Sequence, residues 1–141
     1  MMIWNKIITL YNKYEDSSSD EIIWHRHTIE NCFYKATKNK VNIGNTQVVS
    51  DNSIVRIPAQ DNFVPPNEWN TLSETERNKY ITLQAGDLIV LGEITEEIDE
   101  YTDGKRSSDL IAKYGLLGSM FIDSCNINDF MPGAHYLIRG K

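Results

Sequence analysis

Apolar residues come in short runs separated by polar turns along this chain, the rhythm of strands rather than of long helices. Residues 6–12 carry the β-branched Ile7, Ile8 and Thr9 and predict a first strand, and Tyr-Glu-Asp-Ser-Ser-Ser-Asp over 14–20 predicts a polar loop. Residues 21–35 predict a long strand with Trp24, Arg26 and Thr28 on one face and His25, His27 and Ile29 on the other. Polar Glu30-Asn31 ahead of Cys32-Phe33-Tyr34 predicts a bulge there. A basic turn is expected over 38–40, then a strand over 41–50 weakened by a hairpin turn at Gly44-Asn45, then a turn at Asp51-Asn52-Ser53. Ile54-Val55-Arg56-Ile57 predicts a short strand stopped by Pro58.

The longest interruption runs over 59–84. Pro65-Pro66 stiffens it, and Ser73 three residues before Glu76 predicts a capped helix reaching about Tyr80. An insertion this long between strands is often functional. After a turn at Gly86-Asp87, residues 88–94 predict the strongest strand of the chain. Residues 93–103 then hold six acids and no base, expected as a solvated face at Glu93, Glu96, Glu97, Asp99 and Glu100. Ser107-Ser108-Asp109 predicts the cap of a short helix over 110–114, ended by a left-handed Gly115. A strand over 117–127, a turn at Met131-Pro132-Gly133 and a strand over 135–141 complete the chain.

The total is six or seven strands with one or two short helices. It predicts a mainly all-β fold, a single small β-barrel domain over 1–141 with an inserted loop at about 59–84. Apolar positions at strand spacing predict a core of Ile8, Leu10, Trp24, Phe33, Val55, Ile57, Ile89, Leu91, Ile122 and Ile138. A chain of 141 residues buries about two thirds of its unfolded surface.

The formal net charge of −6 argues against a free nucleic-acid binder, which needs clustered Lys and Arg, but not against contact with DNA that slides past. The start shows no signal peptide and no membrane span, and the chain is expected to act in, or be assembled in, a cytoplasm. Cys32 and Cys125 lie in apolar runs and are expected as buried free thiols.

Candidate chemistry is sparse. His25 and His27 share a strand face and would hold a metal only if a third ligand, such as His135 or an acid, approached them; solvent-facing or interface histidines are favoured. Cys32 beside His25 or His135 lacks any nucleophile signature. Gly115-Leu116-Leu117-Gly118 lacks the Lys-Ser/Thr of a phosphate loop. No enzymatic activity, metal or cofactor is expected. Trp69 either anchors the inserted loop on its own domain or inserts into a partner.

The order of features resembles the head-closure proteins of tailed bacteriophages, also called stoppers or head–tail joining proteins. The matching pieces are Thr9-Leu10-Tyr11-Asn12, Trp24-His25-Arg26-His27-Thr28-Ile29, Ile54-Val55-Arg56-Ile57-Pro58, Ala85 to Gly92 and the terminal strand, and together they span most of the chain. The resemblance implies a structural virion protein of the neck, assembled in the bacterial host cytoplasm. It would be a β-barrel forming a sixfold or twelvefold ring between the portal–adaptor complex and the tail. Its implied partners are further copies of itself, the adaptor and portal proteins, the tail terminator, and packaged DNA passing without sequence-specific binding; no membrane is implied. By position, residues 59–84 correspond to a loop that plugs the channel or grips a neighbouring ring, with Phe63, Pro65, Pro66, Trp69, Glu74, Arg77 and Tyr80 as its contact residues. Alternatives are a tail-completion or terminator ring protein, and a small metal-binding or hydrolytic barrel.

Overall fold

A computed structural model describes residues 4–16, 18–43, 46–128 and 135–140. The turns expected at Gly44-Asn45 and Met131-Pro132-Gly133, and the last residue of the terminal strand, lie outside the described residues. Six strands are β1 (Lys6–Glu15), β2 (Ile22–Ile43), β3 (Thr46–Pro58), β4 (Leu88–Leu91), β5 (Ser119–Asn128) and β6 (His135–Gly140). Three short helices among the described residues are α1 (Pro66–Trp69), α2 (Glu74–Lys79) and α3 (Ser107–Gly118). The strands close into an antiparallel barrel in the order β1-β2-β3-β6-β5-β4.

The interior is filled by Ile8 and Leu10 from β1, Ile29 and Cys32 from β2, Val55 and Ile57 from β3, Ile89 from β4, Met120 and Ile122 from β5, and Tyr136 and Ile138 from β6. Seven of the ten expected core residues are among them. Trp24 is buried outside the barrel, while Phe33 and Leu91 are only half-buried. Phe33 fails for a definite reason. Asn31 takes a left-handed backbone (φ 59°), and the β1–β2 register shifts between Ile8↔Ile29 and Lys6↔Cys32. The extra residue inverts the alternation, so Cys32 and Tyr34 turn inward and Phe33 outward. A second irregularity, between Ile122↔Gly140 and Ser124↔Arg139, likewise turns Cys125 toward the core. Both cysteines are free, and burial raises their thiols to about 12 for Cys32 and about 11 for Cys125. Leu91 fails because β4 ends there, at the rim, before Gly92.

A second apolar layer lies outside the barrel. Tyr11, Trp24, Leu88 and Val90 face outward and are covered by Leu110, Ile111 and Tyr114 of α3 and by Ile94 and Ile98 of the acidic segment. Strand β4 is therefore apolar on both faces, which is why 88–91 reads as a continuous apolar run, and β1 is nearly so over 7–11, where the one polar side chain, Thr9, is buried and bonded to Gly92 and Ile94. Within α3, Gly115 leaves the helical conformation (φ 76°, ψ −179°), so the first helix ends there as expected and a further short turn follows to Gly118.

The expected basic turn at 38–40 and the turn at Asp51-Asn52-Ser53 do not occur. β2 and β3 pair without interruption from Phe33↔Arg56 to Ile43↔Thr46. β1 leaves β2 at Cys32, and β6 leaves β3 at Ser53. Beyond those points the two strands pair, among the described residues, only with each other. At about 3.3 Å per residue the Thr37–Ile43 and Thr46–Asn52 stretches make a ribbon about 20 Å long. The basic turn and the strand that follows are thus one ladder, because continuous cross-strand pairing outweighs local turn propensity.

Candidate functional site

The inserted segment, 59–84, is not an exposed loop. A bridge between Phe63 and Ile81, with Val64 N–H donating to the Ile81 carbonyl and Ile81 N–H to the Asn62 carbonyl (both 2.9 Å), ties the base of an excursion that carries α1 and α2. Ile81 and Leu83 then enter the barrel core. Pro65-Pro66 opens α1, with Pro66 at a first-turn position where a missing N–H costs nothing. Ser73 caps α2, accepting from Glu76 N–H as expected.

This excursion covers the end of the barrel where β1 and β2 continue past the core. Leu10↔His27 and Asn12↔His25 extend the inward-facing row begun by Ile8↔Ile29. Trp69 is fully buried there, its indole N–H donating to the Tyr80 carbonyl (3.0 Å) and its ring meeting His25 and Tyr14 edge-on. Of the two readings of Trp69, an anchor of the inserted segment on its own domain holds, and an exposed partner anchor is overturned. A large aromatic with its one polar atom satisfied internally belongs to the fold.

Arg77, expected in an exposed contact set, is also buried. Its guanidinium lies 3.6 Å over the Tyr14 ring, Nη1 donates to the Leu72 carbonyl and Nε to His25 Nε2 (3.4 Å). Among the described residues no carboxylate forms an ion pair with it. Arginine carries no acceptor, so His25 Nε2 must present its lone pair; Nδ1 then bears the proton and donates to Asn78 Oδ1 (2.7 Å). Burial lowers the His25 pKa. His27 beside it is held at about 4, chiefly by burial, and its Nε2 is buried without a hydrogen-bond partner. Of the remaining expected contact residues, Phe63 packs on Tyr136 at 4.6 Å and Pro66 is half-buried, while Pro65, Glu74 and Tyr80 are exposed.

A buried polar knot stands next to this cluster. Asp87 is fully buried and accepts from Asn12 Nδ2 (2.8 Å), Lys13 N–H (2.9 Å) and Gln84 N–H (3.2 Å), and Asn12 also donates to the Thr82 carbonyl (2.6 Å). Burial raises the Asp87 carboxyl to about 7 against those three donors. Nothing local in Gly86-Asp87 marked this residue as more than a turn; its signal is the pairing of β1 with β4 through a polar Asn12.

The acidic segment is also less solvated than its composition implies. Ile94 and Ile98 anchor it. The Tyr11 hydroxyl donates to the Glu96 carbonyl and the Tyr114 hydroxyl to Glu96 Oε1 (both 2.5 Å). Arg26 pairs with Glu97 at 2.9 Å, Glu100 accepts from Ser107 N–H, and Asp99 caps its own turn through Tyr101 N–H and Thr102. Glu93, Glu97 and Asp99 are exposed, while Glu96 and Glu100 are half-buried. Between this strap and α3 lies an open groove of about 570 Å³, lined by charges of both signs, Glu96 and Asp109 against Arg106 and Lys113.

The structure does not bring together the histidines named as metal candidates. His135 sits against Arg56 and Trp4, while His25 and His27 lie under α2. Among the described residues no group of three or more His, Cys, Asp or Glu is placed to hold a metal ion. No described helix is long and apolar enough to cross a membrane.

Residues 3–141, nearly the whole chain, match the sequence profile of one protein family. The chain belongs to DUF6751, a family of unknown function. No curated protein and no solved structure matches this DUF6751 member.

Proposed function

We propose that this chain is a ring-forming structural subunit in the neck of a tailed bacteriophage, closing the filled head and offering the tail its docking surface. The observation that carries this reading is the ribbon. A closed barrel has no strand edges to offer, yet here two of its strands run on for about 20 Å with outer edges that, among the described residues, pair with nothing. A two-stranded ribbon is marginal alone in water and gains by lying against a neighbour. Its role is an arm between copies or between rings. At the covered barrel end Asn12, Asp87, His25 and Arg77 spend their polar atoms on partners within the fold instead of facing an open cleft, which favours a structural over a catalytic role.

The plug or grip that the resemblance assigned to residues 59–84 passes to the ribbon, because the inserted segment is rooted in the barrel core through Ile81 and Leu83 and at neutral pH folds Trp69 back over the barrel end. Charge supports the same division. Residues 35–53 carry Lys35, Lys38 and Lys40 against the single acid Asp51, in a chain whose net charge is −6. The body repels passing phosphate while the arm does not.

Replacing residues 39–49 by a two-residue turn tests the reading. The shortened protein should fold with the urea midpoint of the full chain. By native mass spectrometry it should fail to form rings, and its particles should either lose DNA or remain as filled heads without tails. Normal yields of infectious particles from the shortened protein would overturn it. Tails of uncontrolled length beside normal heads would point to a terminator.

A further inference from the structure

The excursion over the barrel end has the construction of a hinged cover. Its base is pinned by the Phe63–Ile81 bridge, and the two residues after the bridge are held independently, Thr82 by Asn12 and Leu83 by the core. Everything between the pins, α1 and α2 included, can therefore leave the barrel without unpairing any barrel strand.

What holds the cover down is a cationic side chain donating to an uncharged histidine, His25, with Nε2 of His27 buried beside it. Arg77 is buried with no counter-ion among the described residues, and its contact with His25 requires an unprotonated Nε2. A proton added to His25 would face the Nε–H of Arg77, donor against donor, inside a site 3 % exposed at His25 and 5 % at Arg77. His27 Nε2 has no hydrogen-bond partner, and the Arg77 main chain, which favours a charged imidazole, does not offset its burial. The other groups facing the pair are Trp69 from α1, Tyr14 from β1, and Asn78 and the solvent-exposed Glu74 from α2. Asp87 bonds Asn12, the cross-strand neighbour of His25. None of these is a carboxylate hydrogen-bonded to either imidazole.

We propose that the segment between Phe63 and Ile81 is an acid-opened lid: protons taken up by His25 and His27 expel Arg77, and α1 and α2 swing away while the bridge at their base holds. Opening uncovers Trp69, Tyr14 and the inward row of β1 and β2. The direction follows from linkage. The lowered pKa values belong to the closed state, so closure is fully favoured above the ordinary histidine value of 6.5 and is lost as pH falls below it. If His27 regains 6.5 on opening, its closed value of about 4 makes the opening equilibrium about thirtyfold more favourable at pH 5 than at pH 7.5.

Hydrogen exchange followed by mass spectrometry, corrected for intrinsic rates, tests this on the full chain. Peptides covering residues 64–80 should lose protection by about thirtyfold between pH 7.5 and pH 5, and peptides covering β3 and β6 should not. His25→Gln/His27→Gln should abolish the change. Asn78→Asp, an exposed site that places a carboxylate against His25 Nδ1–H, lets the closed state hold its proton and should reduce the change. Arg77→Gln removes the charge that opposes a proton on His25 and should reduce the change. Equal protection of 64–80 at both pH values would overturn the proposal. So would an undiminished acid response in Asn78→Asp, which keeps the fold even where the histidine variants do not.

Discussion

Replacing Asp87 by Asn should flatten one component of the pH dependence of stability, with a sign opposite to the usual carboxylate behaviour. Asp87 is fully buried, and its carboxyl stands at about 7 rather than 3.8 because burial outweighs the three donors that favour its charge. Below pH 3.8 the carboxyl is protonated both folded and unfolded. As pH rises toward 7 the unfolded chain releases the proton and the folded chain keeps it, so stability falls across that window and is level above it. The difference between 3.8 and about 7 corresponds to about 4 kcal/mol, at about 1.4 kcal/mol for each tenfold change in proton affinity. Asparagine removes the titration but brings its own penalty. Oδ1 accepts from Lys13 N–H and Oδ2 from Asn12 and Gln84, so an amide nitrogen at either position leaves a donor unpartnered, at about 1–3 kcal/mol independent of pH. Urea titrations of both proteins, read by circular dichroism from pH 4 to pH 8, give the difference curve. The wild type should lead at pH 4 and lose about 4 kcal/mol relative to the variant by pH 8. The difference is the quantity to read, because His25 and His27 impose an opposing slope on both proteins. A gap constant from pH 4 to pH 8 would refute the argument and show Asp87 ionised throughout.

Gly140→Ala should cost about 1–3 kcal/mol, since an added Cβ would stand 2.2 Å from the Phe121 carbonyl oxygen, which belongs to a paired strand and cannot step aside; a loss below about 0.5 kcal/mol in urea would place β5 and β6 farther apart. Trp69→Ala should cost about 3–5 kcal/mol by the same measurement, and a loss under about 1 kcal/mol would return this residue to the surface. Cys125, its thiol at about 11, should react with iodoacetamide at pH 8 about a hundredfold more slowly in the native protein than in urea, and Cys32 at about 12 more slowly still; equal rates would mean that neither is buried.

The barrel was legible because strand spacing survives in the sequence: Ile8, Leu10, Val55, Ile57, Ile89, Ile122 and Ile138 all point inward. The split of β2 into a His25–His27 face and a Trp24–Arg26 face was legible for the same reason. Legibility ended where parity changes. The bulge at Glu30-Asn31 could be expected from polarity, but its effect on Phe33 follows only from counting one extra residue against β1. The ribbon was hidden because Lys38-Asn39-Lys40 and Asp51-Asn52-Ser53 have turn chemistry, while their pairing is a long-range property. The covered barrel end was hidden most deeply. Arg77 looks like a surface residue of a polar loop, Trp69 reads equally as an anchor on its own domain or on a partner, and only Asn12 and His25, polar residues in inward positions, hint that something must fold over them.

The bridge between Phe63 and Ile81 makes the segment it ties a ligand on a tether. Once released, α1 and α2 remain at an effective concentration on the order of millimolar at their own binding site, because their two ends stay a strand spacing apart. Recapture is then limited by local chain motion, on the order of tenths of a microsecond for a loop of about this size, and not by any search. Any external partner that binds the uncovered barrel end competes with that tether, so its apparent affinity is its intrinsic affinity multiplied by the open fraction.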